Sequence, residues 1–198
     1  ARVVKSSVSG AEIGVRMGVN SELVLSGSSV EGGVIGIRSF GGALDVADGS
    51  YIEGGTNALW VRVGSNGHDL PALVDIDGST LVGGTGAAIL VSGDPGTGTS
   101  NEVFLAVRNG SQLIGGNGNL MEVSRFDRIS PTAHLDVQSS DLTGNIVVAD
   151  DDSEAHVTLS NGGRITGAFI NVTSATLDDG GRWQLSGDSD VGTLTLND

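Results

Sequence analysis

Cysteine is missing altogether from these 198 residues. That excludes a disulfide-stapled scaffold and thiolate metal sites. Thiol avoidance also suits a chain that crosses a membrane unfolded before reaching an oxidising space. Proline occurs only three times, which excludes collagen despite 33 glycines. Aromatics make up 4% of the chain, so a core has to be built from Val, Leu, Ile and Ala. Basic residues are scarce: Lys and Arg number 10 against 24 Asp and Glu, giving a net charge of −14. Such a surface repels phosphate backbones and anionic lipid heads, which argues against nucleic-acid and membrane-surface partners. No apolar run is long enough for a transmembrane helix. The opening Ala1-Arg2-Val3-Val4-Lys5-Ser6 lacks the apolar core of a signal peptide. The chain starts and stops inside repeat-like text, so a piece of a longer protein is expected.

What is present is a repeat. An apolar strand, a small-residue step, a variable residue, an aliphatic, one more residue and a glycine pair recur along the chain. The pattern reads Gly27-Ser28-Ser29-Val30-Glu31-Gly32-Gly33 and Gly49-Ser50-Tyr51-Ile52-Glu53-Gly54-Gly55. It returns as Gly78-Ser79-Thr80-Leu81-Val82-Gly83-Gly84 and Gly110-Ser111-Gln112-Leu113-Ile114-Gly115-Gly116. Looser copies surround Val8, Leu142, Ile165 and Trp183. The intervals between these anchors run from 18 to 32 residues. Self-similarity of this kind marks a solenoid, and the unequal spacing marks a coil with variable loops. Each coil holds three strand-like pieces. The first alternates, as in Leu23-Val24-Leu25 and Val74-Asp75-Ile76, and its last aliphatic lies five or six residues before the anchor. The second carries the anchor, and the third follows the glycines, as in Ala58-Leu59-Trp60-Val61. Period-two alternation with β-branched residues argues strands throughout. The glycines are expected to supply positive φ at sharp turns, and small residues there to let successive coils stack at the ~4.8 Å strand spacing.

The tail adds a second signal. Residues Thr176 to Asp198 hold an aliphatic strand, then Trp183-Gln184-Leu185, a Ser186-Gly187-Asp188-Ser189-Asp190 turn and Val191-Gly192-Thr193-Leu194-Thr195-Leu196. Over about 60 residues this text resembles the C-terminal part of pertactin-like (AIDA-type) autotransporter passenger domains; the upstream coils match in style. The resemblance implies an all-β, right-handed parallel β-helix, a pectin-lyase-like solenoid, here of about eight coils. It implies passenger coils over 1–175 and a C-terminal coil over 176–198, in one continuous domain that leads into an autochaperone-like cap. It further implies an extracellular place on a Gram-negative surface, anchored by an outer-membrane barrel of the same polypeptide. The passenger's role would be adhesin, self-association module or stalk, with host-cell or sister-cell surface proteins or glycans as partners. No catalytic residue carries over, because the matched positions are structural.

Several constellations have plainer readings. Gly83-Gly84-Thr85-Gly86 and Gly115-Gly116-Asn117-Gly118 lack the aspartate of calcium nonapeptides, with Ala88 and Leu120 at that position. Asp150-Asp151-Asp152 with Glu154 reads as a solvated turn rather than a catalytic or metal cluster. His68, His134 and His156 share no metal spacing. His134 and His156 each precede a core aliphatic and should face outward from equivalent positions. No nucleophile elbow is present. A non-catalytic chain without cofactor or metal is therefore expected, with a carbohydrate-active β-helix on acidic polysaccharide as the rival. Trp60, Met121 and Trp183 read as strand residues, Trp60 with an alternative as a sugar platform. Insertions at 64–71, 92–101 and 124–132 follow third strands and should leave one edge. The last carries Arg125, Phe126, Asp127 and Arg128, a basic-aromatic patch that is, with Trp60, the candidate contact surface.

Overall fold

The computed structural model describes residues 1–64, 70–96 and 99–197. Among them every regular element is a strand, and every strand pairing is parallel. The chain winds as a right-handed parallel β-helix. The first face is a nine-stranded sheet: Arg2–Val4, Glu22–Ser26, Ala43–Ala47, Ala72–Asp77, Glu102–Arg108, Thr132–Gln138, Glu154–Ser160, Val172–Leu177 and Val191–Leu196. The second runs through Ser7–Gly10, Ser29–Gly32, Tyr51–Gly54, Thr80–Gly83 and Gln112–Gly115. It resumes as a separate sheet of Asp141–Thr143, Arg164–Thr166 and Arg182–Gln184. The third holds Ile13–Arg16, Ile35–Ser39, Asn57–Val63, Ile89–Gly93, Asn119–Ser124, Asn145–Val148 and Phe169–Ile170.

The anchors stack as the repeat requires. Val8, Val30, Ile52, Leu81 and Leu113 are register partners in turn, and so are Leu142, Ile165 and Trp183. The aliphatics of the first strand form a parallel column: Leu25, Val46, Ile76, Val107, Val137, Leu159 and Leu177. From Val30 to Ile165 these side chains are almost wholly buried. No coil closes its own apolar face, so each draws stability from its neighbours. Met121 lies fully buried in the same core. Trp183 is partly buried, stacks on Phe169 at 4.2 Å, and donates its indole N–H to the Gly167 carbonyl at 3.0 Å.

The five-or-six spacing has a backbone cause. Where column and anchor are five apart, one residue between them takes positive φ, such as Gly27 or Ser139. Where they are six apart, a pair does: Asp48-Gly49, Asn109-Gly110, Asn161-Gly162 and Asp179-Gly180. The added left-handed residue absorbs the added length, so both columns stay in register. Of the two expected uses of glycine, the pairs after the anchor serve close stacking and not positive φ. None of Gly32-Gly33, Gly54-Gly55, Gly83-Gly84 or Gly115-Gly116 has positive φ. They are needed for room. A Cβ on Gly54 would lie 1.9 Å from the Asn57 carbonyl oxygen, and one on Gly55 would lie 2.2 Å from the Gly33 oxygen in the preceding coil.

A buried serine ladder lines the turn between the first two sheets. The backbone N–H groups of Ser28, Ser50 and Ser79 donate to the hydroxyls of Ser50, Ser79 and Ser111 at 3.2, 3.1 and 3.2 Å. Each of these hydroxyls donates onward to a carbonyl of its own turn, Ala47, Asp77 and Arg108 respectively. This satisfies backbone groups where the chain leaves the sheet ladder.

Candidate functional site

Outward positions on the first sheet repeat as strictly as the core ones, because successive strand residues alternate faces. Leu73, Phe104, His134 and His156 each precede a core aliphatic and are register partners across four strands. Two positions along, Asp45, Asp75, Ala106, Asp136 and Thr158 form a second outward row. Together the rows line a mostly apolar groove of about 470 Å³. Leu73 and Phe104 remain 49% and 40% exposed. The Phe104 and His134 rings stack at 4.5 Å and 7°, and His134 stacks on His156 at 5.0 Å and 15°. The result is a flat aromatic strip along the helix axis.

The polar row is charged and held in place. Arg108 pairs with Asp75, and its Nε lies 3.6 Å from Asp77. Burial pushes the Asp75 carboxyl above its usual value, Asp45 and Asp77 push the same way, and Arg108 opposes them. Asp75 Oδ1 is buried with no hydrogen-bond partner. Asp136 accepts from Gln138 Nε2 at 2.6 Å and Ser160 Oγ at 3.3 Å. His156 Nδ1 is 2.8 Å from Ser174 Oγ, which fixes its ring. His134 is held below the ordinary histidine value by burial first and by His156 second. Its Nε2 lies 3.8 Å from Glu102 and makes no hydrogen bond. A flat apolar strip beside fixed acceptors suits a ring with one apolar face and hydroxyls at its rim. The acidic row repels anions, so a neutral ring fits best.

The residues singled out in the sequence fall elsewhere. Arg125, Phe126, Asp127 and Arg128 form a tight turn after Asn119–Ser124, closed by a bridge between Phe126 and Ile129. Phe126 and Arg128 are exposed, Phe126 at 54%. Arg125 is engaged within the chain: it pairs with Asp152, donates from Nε to the Asp127 carbonyl at 2.7 Å, and donates its backbone N–H to Asp150 at 2.6 Å. The acidic run Asp150-Asp151-Asp152 forms a bend between Asn145–Val148 and Glu154–Ser160. Asp150 accepts from the N–H groups of Arg125, Asp152 and Ser153 and from the Ser153 hydroxyl. Trp60 does not join that turn. It pairs in register with Arg38 and Leu90, and donates its indole N–H to Ser92 Oγ at 2.8 Å. The insertions do leave the same end of adjacent strands of the third sheet, and Gly93 packs against Ile129 between the second and third. Of the first, Ser65 to Asp69, including His68, lie outside the described residues, as do Thr97 and Gly98 of the second.

His134 and His156 were legible as equivalent outward positions; Leu73, Asp75, Phe104 and Asp136 were not recognised. The signal was available, since each precedes a core aliphatic by one residue. Compared with family models, curated proteins and solved structures, the chain matches none.

Proposed function

We propose that this chain is a non-catalytic segment of a surface-displayed autotransporter passenger, and that it attaches to neutral glycan chains on host or sister cells. Three things support the reading: the tail text, the all-parallel β-helix, and the groove. The observation that carries it is the in-register strip of Phe104, His134 and His156 beside the Asp45, Asp75 and Asp136 row. A strip parallel to the axis can engage successive rings of one chain. Many such rods on a cell multiply weak contacts by avidity.

The test is binding to a panel of neutral and acidic oligosaccharides, read with Phe104→Ala beside the wild type. Retention of neutral chains, lost in Phe104→Ala while the fold persists, is expected. If no neutral chain binds, and cells displaying the segment neither settle nor attach, the pure stalk reading replaces this one.

One observation favours a carbohydrate-active enzyme as a second reading. Asp45 and Asp75 are register partners, and Asp75 has a raised carboxyl. Adjacent parallel strands lie ~4.8 Å apart, near the carboxyl separation of retaining glycosidases. Release of reducing ends from a panel of neutral and acidic polysaccharides, abolished by Asp75→Asn, would establish it.

A further inference from the structure

The third sheet brings three basic residues of an acidic chain together at one place. Arg16 and Arg38 are register partners, and Arg38 pairs in turn with Trp60. The guanidinium carbons of Arg16, Arg38 and Arg62 lie 4.9, 5.5 and 5.4 Å from the centre of the Phe40 ring. Arg62 and Arg38 also lie 4.8 and 5.9 Å from the Trp60 ring. Three of the 10 basic residues of a chain with net charge −14 therefore surround one aromatic side chain. Like charges so close repel, and the repulsion needs a counterpart. Asp94 supplies part of it, with an ion pair to Arg62 at 3.1 Å. Glu12 acts on Arg38 through space without an ion pair among the described residues. Arg16 and Arg38 make no ion pair there either, and the Nε atoms of Arg38 and Arg62 are buried without a hydrogen-bond partner. Burial, then Arg16 and Arg62, hold the Arg38 guanidinium below its ordinary value. Arg16, Phe40, Arg62 and Asp94 edge a surface depression of about 430 Å³, floored partly by Gly18 and Gly96.

We propose that this cluster is an oxyanion site, and that it takes the sulfate or carboxylate substituent of an acidic sugar chain. The aromatic rings hold the guanidinium planes by cation–π contact and leave their N–H edges as donors. Guanidinium forks match carboxylate and sulfate geometry in a way an ammonium does not. The surrounding acidity sets the charge density of the ligand. A polymer charged at every unit is repelled by the rest of the surface, whereas a sugar chain with sparse anionic substituents is not. The site lies on a different sheet from the groove and does not rest on the groove's reading.

The experiment titrates the chain with a sialylated trisaccharide, its neutral disaccharide core, inorganic sulfate and a short polyglutamate. Readouts are the arginine Nε–H resonances and Trp60 emission. The expected result is saturable binding of the sialylated trisaccharide that shifts the Arg16 Nε–H signal. Arg16→Gln, at an exposed position, should weaken that binding at least tenfold without lowering the thermal midpoint, because it relieves repulsion. Arg62→Gln, also at the edge of the depression, serves the same purpose should Arg16→Gln fail to fold. Phe104→Ala should leave this binding unchanged, which separates it from the groove. Equal binding of the neutral core, or no loss in either arginine variant, overturns the site. Tighter binding of inorganic sulfate or of polyglutamate overturns its assignment to an acidic sugar.

Discussion

His134 and His156 occupy the same register position on neighbouring strands, and their rings stack at 5.0 Å. Two imidazoles so placed cannot both be charged cheaply. The groups facing His134 are His156, Glu102 and Glu154, and the carboxylates only partly offset burial and the second ring. A base whose folded pKa is lowered contributes full stability above its unfolded value and loses it below. The unfolded chain takes up the proton first, so stability should fall as pH drops beneath the ordinary value of 6.5. His134→Phe removes that titration and extends the Phe104 ring row. Urea midpoints at pH 7.5 and 5 should converge in the variant relative to the wild type. Parallel losses in both proteins would show that the ring's protonation has no weight.

Asp150 carries the opposite sign. Burial disfavours its charge, but hydrogen bonds from Arg125, Ser153 and Asp152 outweigh that and hold the carboxyl below its usual 3.8. Its contribution is therefore present above that value and lost as pH falls through the lowered one. Asp150→Asn should cost about 1 kcal/mol at neutral pH, at the low end because the carboxylate is partly open to solvent. The gap between variant and wild type should narrow below the usual 3.8 and close as pH falls through the lowered value, where both side chains are neutral. A gap that persists in acid would assign the loss to geometry instead of charge.

The serine ladder offers a buried test. Ser111 is fully buried, donates its one hydroxyl hydrogen to the Arg108 carbonyl at 2.6 Å with the Ile76 carbonyl also within 3.0 Å, and accepts from the Ser79 N–H at 3.2 Å. Ser111→Ala strands that N–H and should cost about 1–3 kcal/mol. Hydrogen exchange should quicken at Ser79 in particular. An unchanged Ser79 amide would mean that another acceptor takes its place.

The core was legible because it repeats what burial demands. Val30, Ile52, Leu81 and Leu113 announce themselves as aliphatics in a fixed frame, and they stack in order. The outward chemistry was less legible because nothing but register unites it, and register has to be read across coils of unequal length. Arg16, Arg38 and Trp60 each follow their anchors Val8, Val30 and Ile52 by eight residues, yet Phe40 and Arg62, which complete the cluster, do not share that slot. Arg125 drew attention as a cation in an acidic chain, but its charge is met by Asp152 of the next coil, a pairing 27 residues away in sequence. Which glycines serve conformation and which serve space was not legible for a related reason. Sequence shows that glycine is required and not whether conformation or space requires it.

Those two requirements can be separated by substitution. Gly49 has φ of +73° and nothing within 4 Å of a built Cβ, whereas Gly54 has ordinary φ and a Cβ there would sit 1.9 Å from the Asn57 oxygen. Gly49→Ala meets only the left-handed penalty, about 1–2 kcal/mol. Gly49→Asn should recover most of that, since Asn tolerates this conformation. Gly54→Ala forces the Asn57 carbonyl aside in a backbone that also pairs with Gly32 and Gly83. Overpacking of this kind costs about 1–3 kcal/mol or more, and no other residue relieves it. Thermal midpoints should therefore rank wild type, Gly49→Asn, Gly49→Ala and Gly54→Ala in descending order. Should Gly54→Ala prove no worse than Gly49→Ala, the coils are looser at the turn between Gly54 and Asn57 than their close approach implies, and the glycine pairs would have to be explained by chain flexibility during folding.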